Sequence, residues 1–317
     1  MRASVSLVML SFLSISLFPY HPAHACSVCG CDPAAGTLGL DRPSKDNLRL
    51  SIEDRVLSKD AGSAAAAESE RENRAMLRLQ YAPLTRLTLQ AEIPGFLWKR
   101  HLDAQGVQDD NGHGLGDLAF SARYEILRLG GFVPRHVLAV IGGIKLPTGA
   151  NNRHLPGADP DEHLQIGSGT YDKTFGLSYL YGDLPWMLFA NASARVNGTN
   201  RRNFQYGNAL FGSVGVRRTL LESQRLIFSL EAQVRSAGKD RLKGGVGAMP
   251  SMPGMSLSPY DDDSGGKVYY GTASAGFAIT DNLLVRGTVQ VPVATALNGT
   301  QSEHPVGYLQ FAYDFAL

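Results

Sequence analysis

Val306-Gly307-Tyr308-Leu309-Gln310-Phe311-Ala312-Tyr313-Asp314-Phe315-Ala316-Leu317 closes the chain, and its reading decides the fold. Side chains two residues apart share one face of a β-strand. Gly307, Leu309, Phe311, Tyr313, Phe315 and Leu317 therefore make an apolar face, and Tyr308, Gln310, Ala312 and Asp314 a more polar one. The same alternation recurs in Leu226, Phe228, Leu230, Ala232 and Val234 against Ile227, Ser229, Glu231, Gln233 and Arg235, and in Leu87, Leu89, Ala91 and Ile93 against Thr88, Gln90 and Glu92. Runs of ten or more residues with one apolar face are longer than sandwich strands, which average five or six. They fit strands that cross a membrane at a tilt.

Working outward from these runs, the pattern predicts strands near 47–57, 73–82, 85–94, 115–128, 135–147, 168–181, 186–197, 204–218, 224–236, 267–279, 282–293 and 306–317. Pro83-Leu84, Gly182-Asp183-Leu184-Pro185 and Thr280-Asp281 are short connections, whereas 58–72, 95–114, 148–167 and 237–266 are long. Short turns at one rim and long loops at the other characterise outer-membrane barrels. The expected fold is all-β, a transmembrane antiparallel β-barrel of about twelve strands occupying 47–317 in the bacterial outer membrane, with lipid as its surroundings. Ala61 to Glu70, small and charged, reads as a mobile outer loop. Tyr81, Trp98, Tyr179, Tyr181, Trp186 and Tyr270 fall near strand ends, where aromatic girdles sit.

Ahead of the barrel, Arg2, the apolar run Val5 to Phe18 and Ala23-His24-Ala25 read as a secretory signal peptide over 1–25. A Cys-bearing periplasmic segment, 26–46, would follow. Ala23 stands where a lipidation signal needs a large aliphatic residue, which favours ordinary cleavage over lipidation of Cys26.

The predicted inward faces carry Arg78, Arg123, Arg195, Arg217, Arg235 and Arg286 together with Glu92, Glu125, Glu231 and Asp314. These residues would line a lumen of mixed charge, either a narrow wet channel or a plug of ion pairs. Thirty basic against 29 acidic residues leave no cationic excess to track a phosphate backbone, so nucleic acid is not an expected partner. No G-x-S-x-G, H-E-x-x-H or Walker-type phosphate loop appears, and no enzymatic activity is expected.

Gly114-Leu115-Gly116-Asp117-Leu118, Gly142-Gly143-Ile144-Lys145-Leu146-Pro147-Thr148-Gly149 and Gly167-Ser168-Gly169-Thr170-Tyr171-Asp172 follow one another in an order and spacing that resemble the exported family labelled meta-pathway of phenol degradation. The resemblance implies an outer-membrane barrel with a transporter-like role, for small molecules including aromatic or hydrophobic compounds. It supplies no catalytic residues.

Two clusters stand apart from that resemblance. Cys26, Cys29 and Cys31 form a compact C-x-x-C-x-C, suited either to a disulfide or to a soft ion such as copper or zinc. Met249, Met252 and Met255, spaced three apart in a Pro- and Gly-containing loop, are either adaptable filler or thioether ligands. Together they define an alternative function, a soft-metal barrel with no other cofactor and with a periplasmic partner to receive the ion. A third reading is a structural or adhesion barrel with a sealed lumen. His154, Asp159, Asp161, Glu162 and His163 read as a hydrated loop that could also hold a hard cation.

Overall fold

The computed structural model describes residues 43–61, 68–102, 108–130, 134–153, 162, 165–220, 225–242, 260 and 264–317. The signal-peptide region, Cys26, Cys29, Cys31, Met249, Met252 and Met255 lie outside the described residues, as do His154, Asp159, Asp161 and His163. Among the described residues no helix is long and apolar enough to cross a membrane.

The strands in chain order are β1 (Asn47–Ala61), β2 (Glu68–Leu84), β3 (Leu87–Leu102), β4 (Gln108–Leu115), β5 (Ala119–Leu129), β6 (His136–Lys145), β7 (Asp172–Asp183), β8 (Trp186–Val196), β9 (Phe204–Gln205), β10 (Ala209–Leu220), β11 (Leu226–Ala237), β12 (Arg241–Leu242), β13 (Gly266–Ala278), β14 (Leu283–Leu297), β15 (Ser302–Glu303) and β16 (Val306–Ala316). Twelve long strands pair in the order β1-β16-β14-β13-β11-β10-β8-β7-β6-β5-β3-β2, and β1 pairs with β2 to close the ring. Closure leaves no unpaired strand edge, which the hydrocarbon core requires.

The alternation fixes which face looks where. Phe120, Tyr124, Val140, Phe175, Leu177, Leu188, Val214, Leu230, Val289, Leu309 and Phe311 are exposed on the outside of the barrel. Between them in register lie buried polar residues such as Ser51, Arg55, Arg78, Gln80, Arg123, Ser178, Ser193, Thr272 and Gln290. The barrel is thus apolar outside and polar inside, the reverse of a soluble domain. Asp54 is the exception on the outer face of β1, exposed between Ile52 and Val56.

All twelve predicted barrel strands are present, but the long-loop rim is taller than the sequence predicts. β1 and β2 remain paired through Ala61 and Glu68, so Glu68 to Glu70 are strand and not loop. β3 runs on to Leu102 and is joined by β4, where the pattern predicts only a connection over 95–114. Above the bilayer a hairpin needs no apolar face, and its charged sequence hides it. Tyr270 is a second correction: it is buried on the inner face and bonded to Glu303, so it belongs to no girdle. Trp186, by contrast, is exposed at the turn rim with the Arg218 guanidinium 4.8 Å from its ring.

Candidate functional site: the polar interior and its rim

The three glycine-rich stretches of the sequence meet at the long-loop rim. Lys145 is the last residue of β6 and Asp172 the first of β7, and they are register partners. Lys145 is also the register partner of Ala119, which begins β5 two residues after Asp117. Strand pairing alone therefore brings one cation and two carboxylates together. Lys145 Nζ lies 2.5 Å from Asp172 Oδ2 and 3.2 Å from Asp117 Oδ2, and all three side chains are nearly sealed from solvent.

The surrounding chain completes this centre. Asp117 Oδ1 accepts from the Gly149 N–H (2.9 Å), and its Oδ2 accepts from the Ser168 N–H (2.8 Å) and the Ser168 hydroxyl (2.7 Å). Ser168 Oγ in turn accepts from Lys145 Nζ at 2.6 Å. Asp172 Oδ1 accepts from the Thr170 hydroxyl (2.7 Å) and the Gly198 N–H (3.0 Å). A buried charge needs partners for its lone pairs as well as a counter-ion, and here both are supplied.

The glycines permit this approach. A Cβ on Gly167 would stand 2.5 Å from the Gly149 oxygen and 2.7 Å from Asp117 Oδ1. Gly167→Ala should therefore push apart the two chain segments of the loop neck, costing about 1–3 kcal/mol by overpacking. Gly142→Ala, with nothing within 4 Å of the new Cβ, is the matched control. Urea midpoints of the two refolded variants test this, and equal midpoints would defeat it.

The loop over 146–171 is fastened twice more. Glu162 accepts Arg202 through both oxygens (2.5 and 2.7 Å) and Asn200 Nδ2 at 2.9 Å, while the Tyr206 hydroxyl donates to its carbonyl (2.9 Å). The hydrogen bond to Glu162 raises the Arg202 pKa above its ordinary value against the opposing pull of burial. On the other side Lys99 Nζ reaches Glu70 at 3.0 Å and the Gln165 carbonyl at 3.2 Å. Of the residues read as a hard-ion loop, only Glu162 is described, and a guanidinium occupies its carboxylate.

A further clasp joins β15 to the ends of β1 and β11. Glu303 meets Arg235 and the Tyr270 hydroxyl, and His304 meets Asp60. Burial pushes the Glu303 carboxyl up, but Arg235 and Lys59 together with hydrogen bonds from Arg235 and Tyr270 outweigh it and hold the pKa below the ordinary value. The Asp60 hydrogen bond raises the His304 pKa against desolvation; the Asp60 and Glu303 charges add to the rise and Arg71 opposes it. A raised imidazole pKa means this clasp contributes fully below about pH 6.5 and is lost as pH rises through the raised value. Amide exchange over 298–305 should accordingly speed up between pH 6 and pH 9 in the native chain and be flat in His304→Gln, beyond intrinsic chemistry. A pH-independent native loop would refute this.

The ten sequence-predicted lumen residues all sit on the inner face, Arg235 within the Glu303 clasp and the other nine below the clasps. Arg78, Arg123, Glu125, Arg195, Arg217, Glu231, Arg235 and Arg286 are buried, and Glu92 and Asp314 are partly so. Three of the ion pairs here run along the wall. Arg78 meets Glu92 (2.8 Å) and Arg49 meets Asp314 (2.7 Å), each pair being register partners on adjacent strands, and Arg123 meets Glu125 two residues away (2.9 Å). Gln290 links Gln233 and Tyr308 at 2.6 Å each. Asp117, Lys145 and Asp172 stand in the motifs the sequence singles out, but their pairing is not visible there. Among the described residues no group of three or more His, Cys, Asp or Glu could hold a metal ion.

A closed barrel with an apolar outer surface, a polar interior and loops tied over one rim is a porin-like outer-membrane β-barrel. The chain belongs to the family described as "Putative MetA-pathway of phenol degradation", whose sequence pattern matches residues 68–249. Among solved structures it is similar to an outer membrane channel from Pseudomonas putida F1, with 15% identity, a TM-score of 0.66, and coverage of 90% of this chain and 99% of that one. It is more distantly similar to the NanC porin (6% identity, TM-score 0.43, 85% and 100% covered) and to the translocator domain of the autotransporter NalP from Neisseria meningitidis (9%, 0.45, 87% and 91%). The first of these shows a shared fold. The search of curated proteins gave no match.

Proposed function

We propose that the protein is a channel of the bacterial outer membrane, through which small molecules diffuse down their gradients, aromatic and other hydrophobic compounds among them. The observation that carries this reading is the placement of the interior ion pairs. Arg49–Asp314, Arg78–Glu92 and Arg123–Glu125 each join neighbours within the wall, so these charges are paired along it and not across the centre of the twelve-stranded ring. At the rim the clasps tie Glu162 to Arg202, Gln165 to Lys99 and Glu303 to Arg235. The aromatic preference takes its support from the family description, and the fold shared with an outer membrane channel supports passage.

Liposome swelling tests it. Vesicles containing the refolded barrel should swell in small sugars, in amino acids and in a small aromatic acid. An absence of swelling with every solute would replace the channel with a sealed, structural barrel.

A further inference from the structure

The interior charges are not evenly spread. Resting on the channel reading, we infer that the lumen selects small organic anions, with arginines on facing strands drawing the anionic group and an uncharged wall receiving an apolar body.

The inner faces of the twelve strands below the rim clasps carry nine arginines: Arg49, Arg55, Arg74, Arg78, Arg123, Arg128, Arg195, Arg217 and Arg286. Six carboxylates share these faces, Glu53, Glu72, Glu92, Glu125, Glu231 and Asp314. The enclosed space therefore carries a positive excess although the whole chain is nearly neutral. A narrow aqueous path between low-dielectric walls concentrates such a field.

Placement adds to the count. In the closed order β1 and β8 are six strands apart, half the ring, so they face each other. Arg55 is eight residues in from Asn47 at the start of β1, and Arg195 nine in from Trp186 at the start of β8, which sets both at one level toward the loop rim. Each is held over a ring, Arg55 at 5.0 Å from Tyr308 and Arg195 at 5.4 Å from Phe211. Stacking fixes the planar guanidinium and keeps its charge.

Below Arg195 the wall changes character. The inward positions of β6, β7 and β8 between the Lys145–Asp172 centre and the turns include Ala139, Ile141, Gly143, Gly176, Ser178 and Phe189, and not one inward residue of that stretch is charged. An apolar or aromatic body can lie on this wall while its carboxylate faces the arginines across the lumen.

The test is a planar-bilayer recording of the full refolded chain. In a potassium chloride gradient the reversal potential should report a chloride over potassium preference of about sevenfold, the ratio expected when a potential of about one kT enriches anions and depletes cations e-fold each. Sodium benzoate should block the chloride current saturably, and benzyl alcohol should not. Arg55→Gln with Arg195→Gln, which leaves one of three excess charges, should lower the ion preference to about twofold and abolish the benzoate block, while Arg55→Lys with Arg195→Lys, which keeps both charges, should retain the preference. Clear conductance with equal or cation-favouring permeability overturns the inference and leaves the channel standing. A folded barrel that conducts nothing overturns both.

Discussion

Lys145→Met should loosen the long-loop rim more than any other single change there. The substitution keeps the length of the side chain but leaves Asp117 and Asp172, both almost fully buried, facing each other with no cation between them. Removing one member of a buried ion pair typically costs about 3–5 kcal/mol, because the partner stays buried and uncompensated. The loss should fall first on the loop over 146–171, whose neck is held by the bonds that Gly149 and Ser168 make to Asp117. The β-ladder below it is independently paired. Limited proteolysis should therefore cut 146–171 in the variant at protease levels the native protein resists, and the urea midpoint of the refolded barrel should drop.

A second substitution separates charge from packing. Asp172→Asn preserves an oxygen to accept from Thr170 and Gly198 while removing one negative charge. Adding it to Lys145→Met should recover part of the lost stability, a coupling that a double-mutant cycle reads directly. Additive losses would show that the three groups do not act as one centre. A Lys145→Met rim as resistant as the native one would mean that the hydrogen bonds to backbone suffice without the lysine.

The twelve strands were legible in the sequence because membrane strands must alternate with period two, and residues such as Leu309, Phe311 and Tyr313 keep that rule without a break. The rule lapses where lipid ends. β1 to β3 continue to the long-loop rim with charged residues on both faces, as in Glu70-Arg71-Glu72, which from sequence alone read as loop. The rim centre was half legible. Gly116-Asp117, Lys145 and Ser168 stand within the motifs that suggest the family, and a lysine closing one predicted strand with an aspartate near the start of the next could have suggested a pair. The Glu162–Arg202 clasp, forty residues apart and on loops, leaves no local signal, since loop pairing follows from how the neighbouring strands place their ends. Asp54 breaks the outer-face rule outright, and nothing in the structure explains it.

Val214→Arg and Ser213→Arg should part company although they are neighbours. Val214 lies in the middle of β10 and is 60% exposed on the outer face, whereas Ser213 faces inward and accepts a hydrogen bond from Asn191 Nδ2 at 3.2 Å. An arginine at 214 must enter hydrocarbon, which near the midplane costs about 2–4 kcal/mol. An arginine at 213 enters an already polar interior beside the uncharged wall, so its cost in stability should be small. Its effect should appear in conduction instead: the longer side chain narrows the path and adds positive charge, lowering the current and raising the preference for chloride. Refolding into vesicles followed by Trp fluorescence, with Trp98 and Trp186 as probes near opposite rims, measures the first effect. Bilayer recording measures the second. Equal stability losses at the two positions would contradict the assignment of inner and outer faces, on which the lumen, the arginine excess and the channel reading all depend.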